Sequence, residues 1–561
     1  MTRRDLFRLA AATLAARPAA GAGQAARTPG FRLVDVTAQA GLRFRHNSGA
    51  YGGKLLPETM GAGCAFIDYD ADGWQDILLV NGMDWPGHRT VRSTPRLYRN
   101  NRNGTFTDVT KRSGLDIELY GMGVAVGDFD NDGFPDLLIT AVGQNRLFRN
   151  TGRGTFVDVT RASGLGGREA FSTSAMWLDV DRDGFLDLFV CNYVRWSAET
   201  DVFCSLDGKQ KSYCTPEAYR GDTCWLFRNR GDGTFEDVTA TCGIFDSSSK
   251  ALGVALIDDD ADGWPDIFVA NDTQPNKLYR NQRNGTFKDI ALRAGVALSE
   301  EGKARAGMGV DAADFDNSGR AGLGITNFDN EMVGLYRSVE PGLYRDIAVP
   351  AGVGLPSLNR LGFGCLFADL DLDGALDLVV VNGHIDATVR NIRGNVGYAQ
   401  AAQIFLNSRN GTFRDVGPEA GGGFVEPRVG RGLAYGDFDR DGDLDLLMTT
   451  NNGPAVLFRN DQTAGHRGLR VRLVGTRSNR DAIGAAVRVI HGGTTWTRVV
   501  KSGSSYLSQS ELPVTFGLGS RDVVERLLIL WPSGRTDEFK NVRTGRAYEC
   551  TEGKALVAPD R

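Results

Sequence analysis

A nine-residue pattern, D-x-D-x-D-G-x-x-D, occurs in full six times along the chain, starting at Asp68, Asp128, Asp179, Asp258, Asp369 and Asp437. A seventh copy keeps the frame with Asp314, Asp316, Ser318 and Gly319, but Gly322 stands at its ninth place. Successive starts lie 60, 51, 79, 56, 55 and 68 residues apart. Self-similarity at such a period restricts a chain to a stacked or radial repeat architecture. What flanks each copy selects among these. A Gly-rich run such as residues 121–127 precedes the motif, and a short apolar run such as 77–80, 137–139 or 188–190 follows it. Short continuous apolar runs bounded by turn residues read as buried strands. A third run resembles residues 147–150 and a fourth resembles 104–110, so each repeat holds four strands. Heptads are absent.

Four strands per repeat fit a propeller blade. The last repeat stops after residues 457–460 without its fourth strand, whereas residues 31–37 have that strand's character and precede the first motif. Pairing the two would close the ring and leave no exposed edge. The expected fold class is all-β: a seven-bladed β-propeller over residues 30–462, then a small all-β domain over 467–557.

Carboxylates at alternating positions of a tight turn are the donors a hard cation needs, and Ca²⁺ takes six to eight oxygens. The expected ligands are Asp68, Asp70, Asp72 and Asp76; Asp128, Asp130, Asp132 and Asp136; Asp179, Asp181, Asp183 and Asp187; Asp258, Asp260, Asp262 and Asp266; Asp369, Asp371, Asp373 and Asp377; and Asp437, Asp439, Asp441 and Asp445. Position 12 is apolar in every full copy (Leu79, Ile139, Val190, Val269, Val380, Met448), so no bidentate Glu is available and an EF-hand is excluded. One such loop alone could be a metal-free turn, because Asp-Gly is common in hairpins. Six sets of four clustered carboxylates would repel without cations. Up to six calcium ions are expected, with little or no binding at the Asp314 copy. These loops hold 24 of the 69 acidic residues, so the formal charge of -5 belongs to them more than to a ligand surface. No basic footprint for nucleic acid is present.

The first residues read as an export signal over 1–24. Arg3 and Arg4 precede an Ala-rich run, and Ala20-Gly21-Ala22 fits a cleavage site. The arginine pair is twin-arginine-like, with an ordinary Sec signal as the alternative. No stretch after it is apolar enough for a membrane-spanning helix. Eight cysteines suit an oxidising destination, periplasmic or extracellular. Cys204 and Cys214 flank a short polar loop and are the expected disulfide.

Beyond residue 467 strand patterns continue without helical period. Residues 479–485 (NRDAIGA), 503–509 (GSSYLSQ), 516–519 (FGLG) and 531–534 (WPSG) resemble the ASPIC/UnbV domain. With the upstream repeats, which resemble FG-GAP/VCBS blades, the chain is similar to the cartilage acidic protein family and its bacterial relatives. That resemblance implies an integrin-like propeller with calcium in the blades and leaves the ligand open. The function expected is a binding or adhesion module for an extracytoplasmic protein or polysaccharide. The alternatives are a propeller-type glycan hydrolase or lyase and a structural subunit of an exported complex. Candidate contact residues are Tyr193, Trp196, Tyr213 and Tyr219 in the long insertion of the third repeat, and Tyr506 and Trp531 as a sugar platform. His384 is the histidine to test for catalysis.

Overall fold

The computed structural model describes residues 29–558 apart from 206, 207 and 392; the export segment expected at 1–24 lies outside them. Each repeat forms four antiparallel strands in chain order. In the first these are Cys64–Ile67, Asp76–Leu79, Arg96–Asn100 and Phe106–Asp108. Equivalent units begin with Gly121–Gly127, Ala170–Leu178, Ala251–Ile257, Gly307–Ala313, Gly362–Ala368 and Gly430–Gly436. The blades are numbered one to seven in this order. Every first strand lies beside the first strand of the next blade, and Gly430–Gly436 returns to Cys64–Ile67. Inner strands are therefore covered on both faces, which is why Asp76–Leu79 is buried throughout and reads as an unbroken apolar run. The rim strand Phe106–Asp108 buries only Phe106.

Blade seven is completed by the chain's own beginning. Phe31–Asp35 pairs antiparallel with Val456–Gln462, so one sheet holds both ends of the repeat array. Its inward residues Phe31 and Leu33 enter the core between blades six and seven.

The C-terminal part forms two four-stranded sheets. Gly468–Val474 runs parallel to Arg546–Thr551 in one, and Ala486–His491 pairs with Val523–Leu530 in the other. Tyr506 and Trp531 are buried in the structure, so neither offers a sugar platform: Trp531 belongs to this domain's core, and Tyr506 packs inside the propeller.

The segment around Tyr506 plugs the ring. Leu507 accepts from the Val124 N–H at 3.1 Å and its own N–H donates to Ser174 Oγ at 3.1 Å. Ser505 and Val310 exchange backbone hydrogen bonds at 2.7 and 2.9 Å. Gln509 bridges to Cys64 and Phe66, the Tyr506 ring meets Phe363 edge-on at 4.9 Å, and the Glu511 N–H donates to the Tyr435 carbonyl at 3.1 Å. Residues 505–511 thus touch the first strands of blades one, two, three, five, six and seven. This explains the glycines that face the plug. A Cβ on Gly63 would overlap the Leu507 carbonyl oxygen, and one on Gly432 would press on Ser508 Oγ and on Gly63 itself.

Gly63→Ala is therefore expected to cost about 3 kcal/mol, the upper end of overpacking penalties, and to expose the 463–467 connection to protease. Gly394→Ala, which meets nothing within 4 Å, should leave both unchanged. Equal urea midpoints and digestion rates for the two variants would contradict the plug.

Candidate metal centres

Each motif joins the first strand of its blade to the second. In loop two, Asp128 accepts from the N–H groups of Asp132 (3.0 Å) and Gly133 (2.7 Å), and Asp132 accepts from Phe134 N–H at 3.0 Å. These bonds curl the chain so that side chains at positions one, three and nine converge. The turn needs two left-handed residues: Gly133 (φ 95°) and, at position four, Asn131 (φ 58°). Position four is left-handed in all seven copies although it is Ala71, Asn131, Arg182, Ala261, Asn317, Leu372 or Arg440. No residue preference announces it in the sequence, since only Asn favours that region.

The structure brings together Asp68, Asp70 and Asp76; Asp128, Asp130 and Asp136; and Asp179, Asp181 and Asp187, with ligand atoms within 4.8 Å of one another. In loops four and six the convergent sets are Asp258, Asp260 and Asp262, and Asp369, Asp371 and Asp373. Loop seven adds a carboxylate beyond the motif: Asp443, at position seven, is buried beside Asp437, Asp439 and Asp441. It was readable in the sequence as an additional Asp.

The donor set fits a hard cation. Asp70, Asp130, Asp181, Asp260 and Asp439, all at position three, each bury an Oδ1 with no hydrogen-bond partner. A buried acceptor without a donor costs about 1–3 kcal/mol, a cost that a coordinated ion removes. Burial pushes the Asp76 and Asp136 carboxyls up to about 9 and Asp266 up to about 8, and repulsion from the other loop carboxylates adds to the rise. Burial likewise raises Asp443 to about 10. Arginines of the third strand, and of the turn that follows it, offset part of this charge from the solvent side. Arg99 reaches Asp70 at 2.7 Å and Asp72 at 3.3 Å, Arg149 lies 3.9 Å from Asp130, and Arg409 pairs with Asp373.

The position-nine aspartate is also a structural junction. Asp136 accepts Phe129 N–H at 3.1 Å and Asn150 N–H at 2.7 Å, tying loop, second strand and third strand together. The Asn150 side chain then donates to the Tyr69 carbonyl, at position two of the preceding blade's loop, at 2.8 Å. The same latch recurs from Asn100 to Phe438, Asn229 to Phe129, Asn281 to Val180, Asn407 to Phe315 and Asn460 to Leu370, at 2.8 to 2.9 Å. Blade five lacks both parts. The Phe315 ring and the Tyr336 carbonyl fill the space a side chain at Gly322 would need, and Ser338 replaces the latch Asn. Blade four answers with Asp259 at position two, whose carboxylate accepts Tyr344 Oη of blade five at 2.8 Å.

Sequence reasoning also missed that the C-terminal domain sits on this loop face. Asp481 accepts Asp128 N–H at 2.6 Å, Gly517 N–H donates to Asp369 at 3.0 Å, and Arg470 lies 3.8 Å from Asp437. No spacing in the sequence signals contacts across hundreds of residues. Between loops one and seven and this domain lies a cavity of about 1400 Å³, lined by Asp68, Asp441, Arg440 and Arg472 among others.

The long insertion lies at the opposite end of the ring. Cys204 and Cys214 are disulfide-bonded. The aromatic residues expected to meet a ligand turn inward. Tyr193 donates to Asp272 at 2.6 Å, Tyr213 to Glu58 at 3.0 Å, and Trp196 packs 5.4 Å from Trp85. Tyr219 is buried and donates to Asp201 at 2.7 Å, while Phe203 is the most exposed large apolar side chain among the described residues of the insertion. His384 is a buried turn residue: its Nδ1 accepts Asp386 N–H at 3.0 Å, its Nε2 lies 3.9 Å from Asp329, and burial lowers its pKa. Among the described residues no helix is long and apolar enough to cross a membrane.

With this geometry the fold defines a β-propeller of FG-GAP-like repeats, and that family matches residues 68–139, 129–190, 200–269, 258–323 and 382–448. The ASPIC and UnbV family matches residues 475–557, and the chain therefore belongs to the FG-GAP-like repeat family. It is 30% identical over 375 residues to cartilage acidic protein 1 of Mus musculus, covering 64% of this chain and 51% of the relative. The Homo sapiens protein is 29% identical over 392 residues, covering 66% and 52%. The chain thus spans about half the length of these relatives. Among solved structures, an Agrocybe aegerita lectin studied for recognition of non-reducing terminal N-acetylglucosamine matches with a TM-score of 0.41 at 14% identity, covering 71% of this chain and 92% of the lectin. The BP39L lectin of Burkholderia pseudomallei matches with a TM-score of 0.42 at 10% identity, covering 72% and 96%. Overlaps at that level carry no argument about a ligand.

The latch yields a direct test. Asn150→Ala strands the Tyr69 and Pro135 carbonyls and is expected to cost about 2–3 kcal/mol in calcium-containing urea titrations. Ser338→Ala, at the corresponding place in blade five, should stay within about 0.5 kcal/mol of the parent. Equal losses would remove the latch from the account.

Proposed function

We propose that the chain is an exported calcium-binding β-propeller that serves as a binding or adhesion module for protein or polysaccharide outside the cytoplasm, with up to six ions in its six complete loops. The observation that carries the calcium reading is the unpartnered position-three oxygen, buried at the same place in five loops. An all-oxygen, carboxylate-rich set selects Ca²⁺ or a similar hard ion over softer metals. The binding reading rests on what the scaffold offers: a rigid closed ring with its channel filled, long loops at one end and a second domain at the other. Rigid scaffolds that display loops are the usual platform for recognition. Export is supported by the Cys204–Cys214 disulfide together with the amino-terminal sequence.

An ion that binds only the folded state stabilises it by mass action, about 2.7 kcal/mol for one site at one hundred times its Kd. Chelator is therefore expected to lower the Tm by well over about 5 °C, and calcium alone should restore it. An unchanged melt and no calcium in elemental analysis would end the metal reading. Asp128→Ala should remove one ion from the titrated stoichiometry, whereas Ser318→Ala should remove none. For the ligand, the calcium-loaded protein is expected to show saturable, chelator-sensitive capture of one glycan or protein class on an array, with no product released. Turnover of an arrayed glycan would instead favour a hydrolase or lyase.

A further inference from the structure

Cys191 is the last residue but one of the second strand of blade three, Asp187–Asn192, and Cys224 directly precedes its third strand, Trp225–Asn229. The ladder pairs Leu188 with Phe227, Phe189 with Leu226 and Val190 with Trp225. Continued by one step, it sets Cys191 opposite Cys224. The Leu226 backbone turns away from this ladder, donating to Thr239 Oγ1 and accepting from Val238 N–H, both at 3.0 Å. Leu226 and Phe189 are therefore a non-hydrogen-bonded pair, and by the two-residue period so are Cys224 and Cys191. In antiparallel sheets that pair has its Cα atoms about 4.5 Å apart, inside the range a disulfide spans. Both side chains are buried, and the two thiols interact directly with each other.

The other blades sharpen the point. The residue in place of Cys191 is Val80, Thr140, Ala270, Thr326, Val381 or Thr449, and the one in place of Cys224 is Pro95, Asn145, Asn276, Val333, Ala402 or Ala455. Cysteine occurs at both positions together, in one blade, and that blade carries the long insertion. The insertion lies in the chain between these two cysteines and contains the Cys204–Cys214 bond.

We propose that Cys191 and Cys224 form a second disulfide in the mature protein, closing the base of the insertion around the inner one. Two S–H bonds break and one S–S bond forms; two protons and two electrons pass to an acceptor disulfide, which is cleaved to two thiols. In an oxidising compartment, protein or small-molecule disulfides supply that acceptor. The inner loop is thereby fixed at its tip and the whole insertion at its root, which holds Tyr213 against Glu58 and Trp196 against Trp85.

The test takes protein produced in an oxidising compartment, denatures it without reductant, alkylates it and maps the peptides. Four alkylated cysteines (Cys64, Cys242, Cys365 and Cys550) and a peptide cross-linked through Cys191 and Cys224 are expected. Six or eight alkylated cysteines, or Cys191 joined to another partner, would overturn the proposal. The Cys204→Ser/Cys214→Ser variant gives an independent reading. Its intact mass before reduction should fall two hydrogens below its mass after reduction, and equal masses would count against the bond. The result stands apart from calcium binding, which neither measurement reads.

Discussion

A buried carboxylate at position nine of each complete loop holds the ring together, and everything nearby is arranged around its charge. In loop one, Asp76 accepts N–H groups from Tyr69 at 3.2 Å and Asn100 at 2.7 Å. Both bonds favour the ionised form, yet burial and the other loop aspartates push the group the other way, up to about 9. The two tendencies conflict unless a cation enters. With an ion in place the same oxygen set becomes the low-energy arrangement, and the loop, two strands and the latch to the preceding blade settle together. Metal affinity and blade packing are then one free energy seen from two sides.

Blade five shows which parts of that arrangement travel together. Loss of the ninth carboxylate at Gly322 coincides with loss of the latch Asn at Ser338, and the space is taken by the Phe315 ring. Without a carboxylate at position nine there is no acceptor for the third strand's N–H, so an Asn there would have one anchor fewer. The joint to blade four is remade by the Tyr344 to Asp259 hydrogen bond. A polar bond inside the rim thus substitutes for a loop-centred one, and the ring stays closed with one blade built differently. Asp314 still buries an unpartnered Oδ1, a remnant of the design with Asp316 beside it but without the carboxylates of positions five and nine.

The repeat made the propeller legible because one loop motif marks each blade at a fixed distance from its strands. The closing strand was legible too, since residues 31–37 have fourth-strand character with no third strand before them. The glycines of the first strands were visible but read only as part of a strand pattern. Their reason is close approach: Gly63 and Gly432 lie against the Ser505–Glu511 plug, hundreds of residues away in sequence, and others lie against the first strand of the next blade, as Gly253 does against Met308 and Gly309 against Phe363. The aromatic insertion misled for a physical reason: Trp and Tyr suit a ligand face and a polar-tipped core equally, and only burial separates the two. Position four of the loops was invisible because its left-handed backbone is imposed by hydrogen bonds to Asp at position one, whatever residue stands there.

The C-terminal domain changes where recognition can occur. It covers part of the metal-loop face, and its plug fills the channel through which propellers often bind. It also contacts loops two, six and seven directly, through Asp481, Gly517 and Arg470. Because those contacts are made to residues that would carry the ions, any ion that stiffens the loops also stiffens the docking surface, and docking in turn favours the ion by the same factor. With ions bound as proposed, the two domains and the metal sites would respond as one cooperative body. Surfaces left free by this arrangement are the insertion end, where Phe203 stands out beside the Cys204–Cys214 bond, and the mouth of the interdomain cavity, where Arg440 lies over the Trp74 ring and the charge of Arg472 acts on the Asp68 carboxylate. With calcium bound as proposed, the loop carboxylates would be neutralised and the cavity mouth would turn from mixed charge toward positive, which would tie the second surface, unlike the first, to the ions.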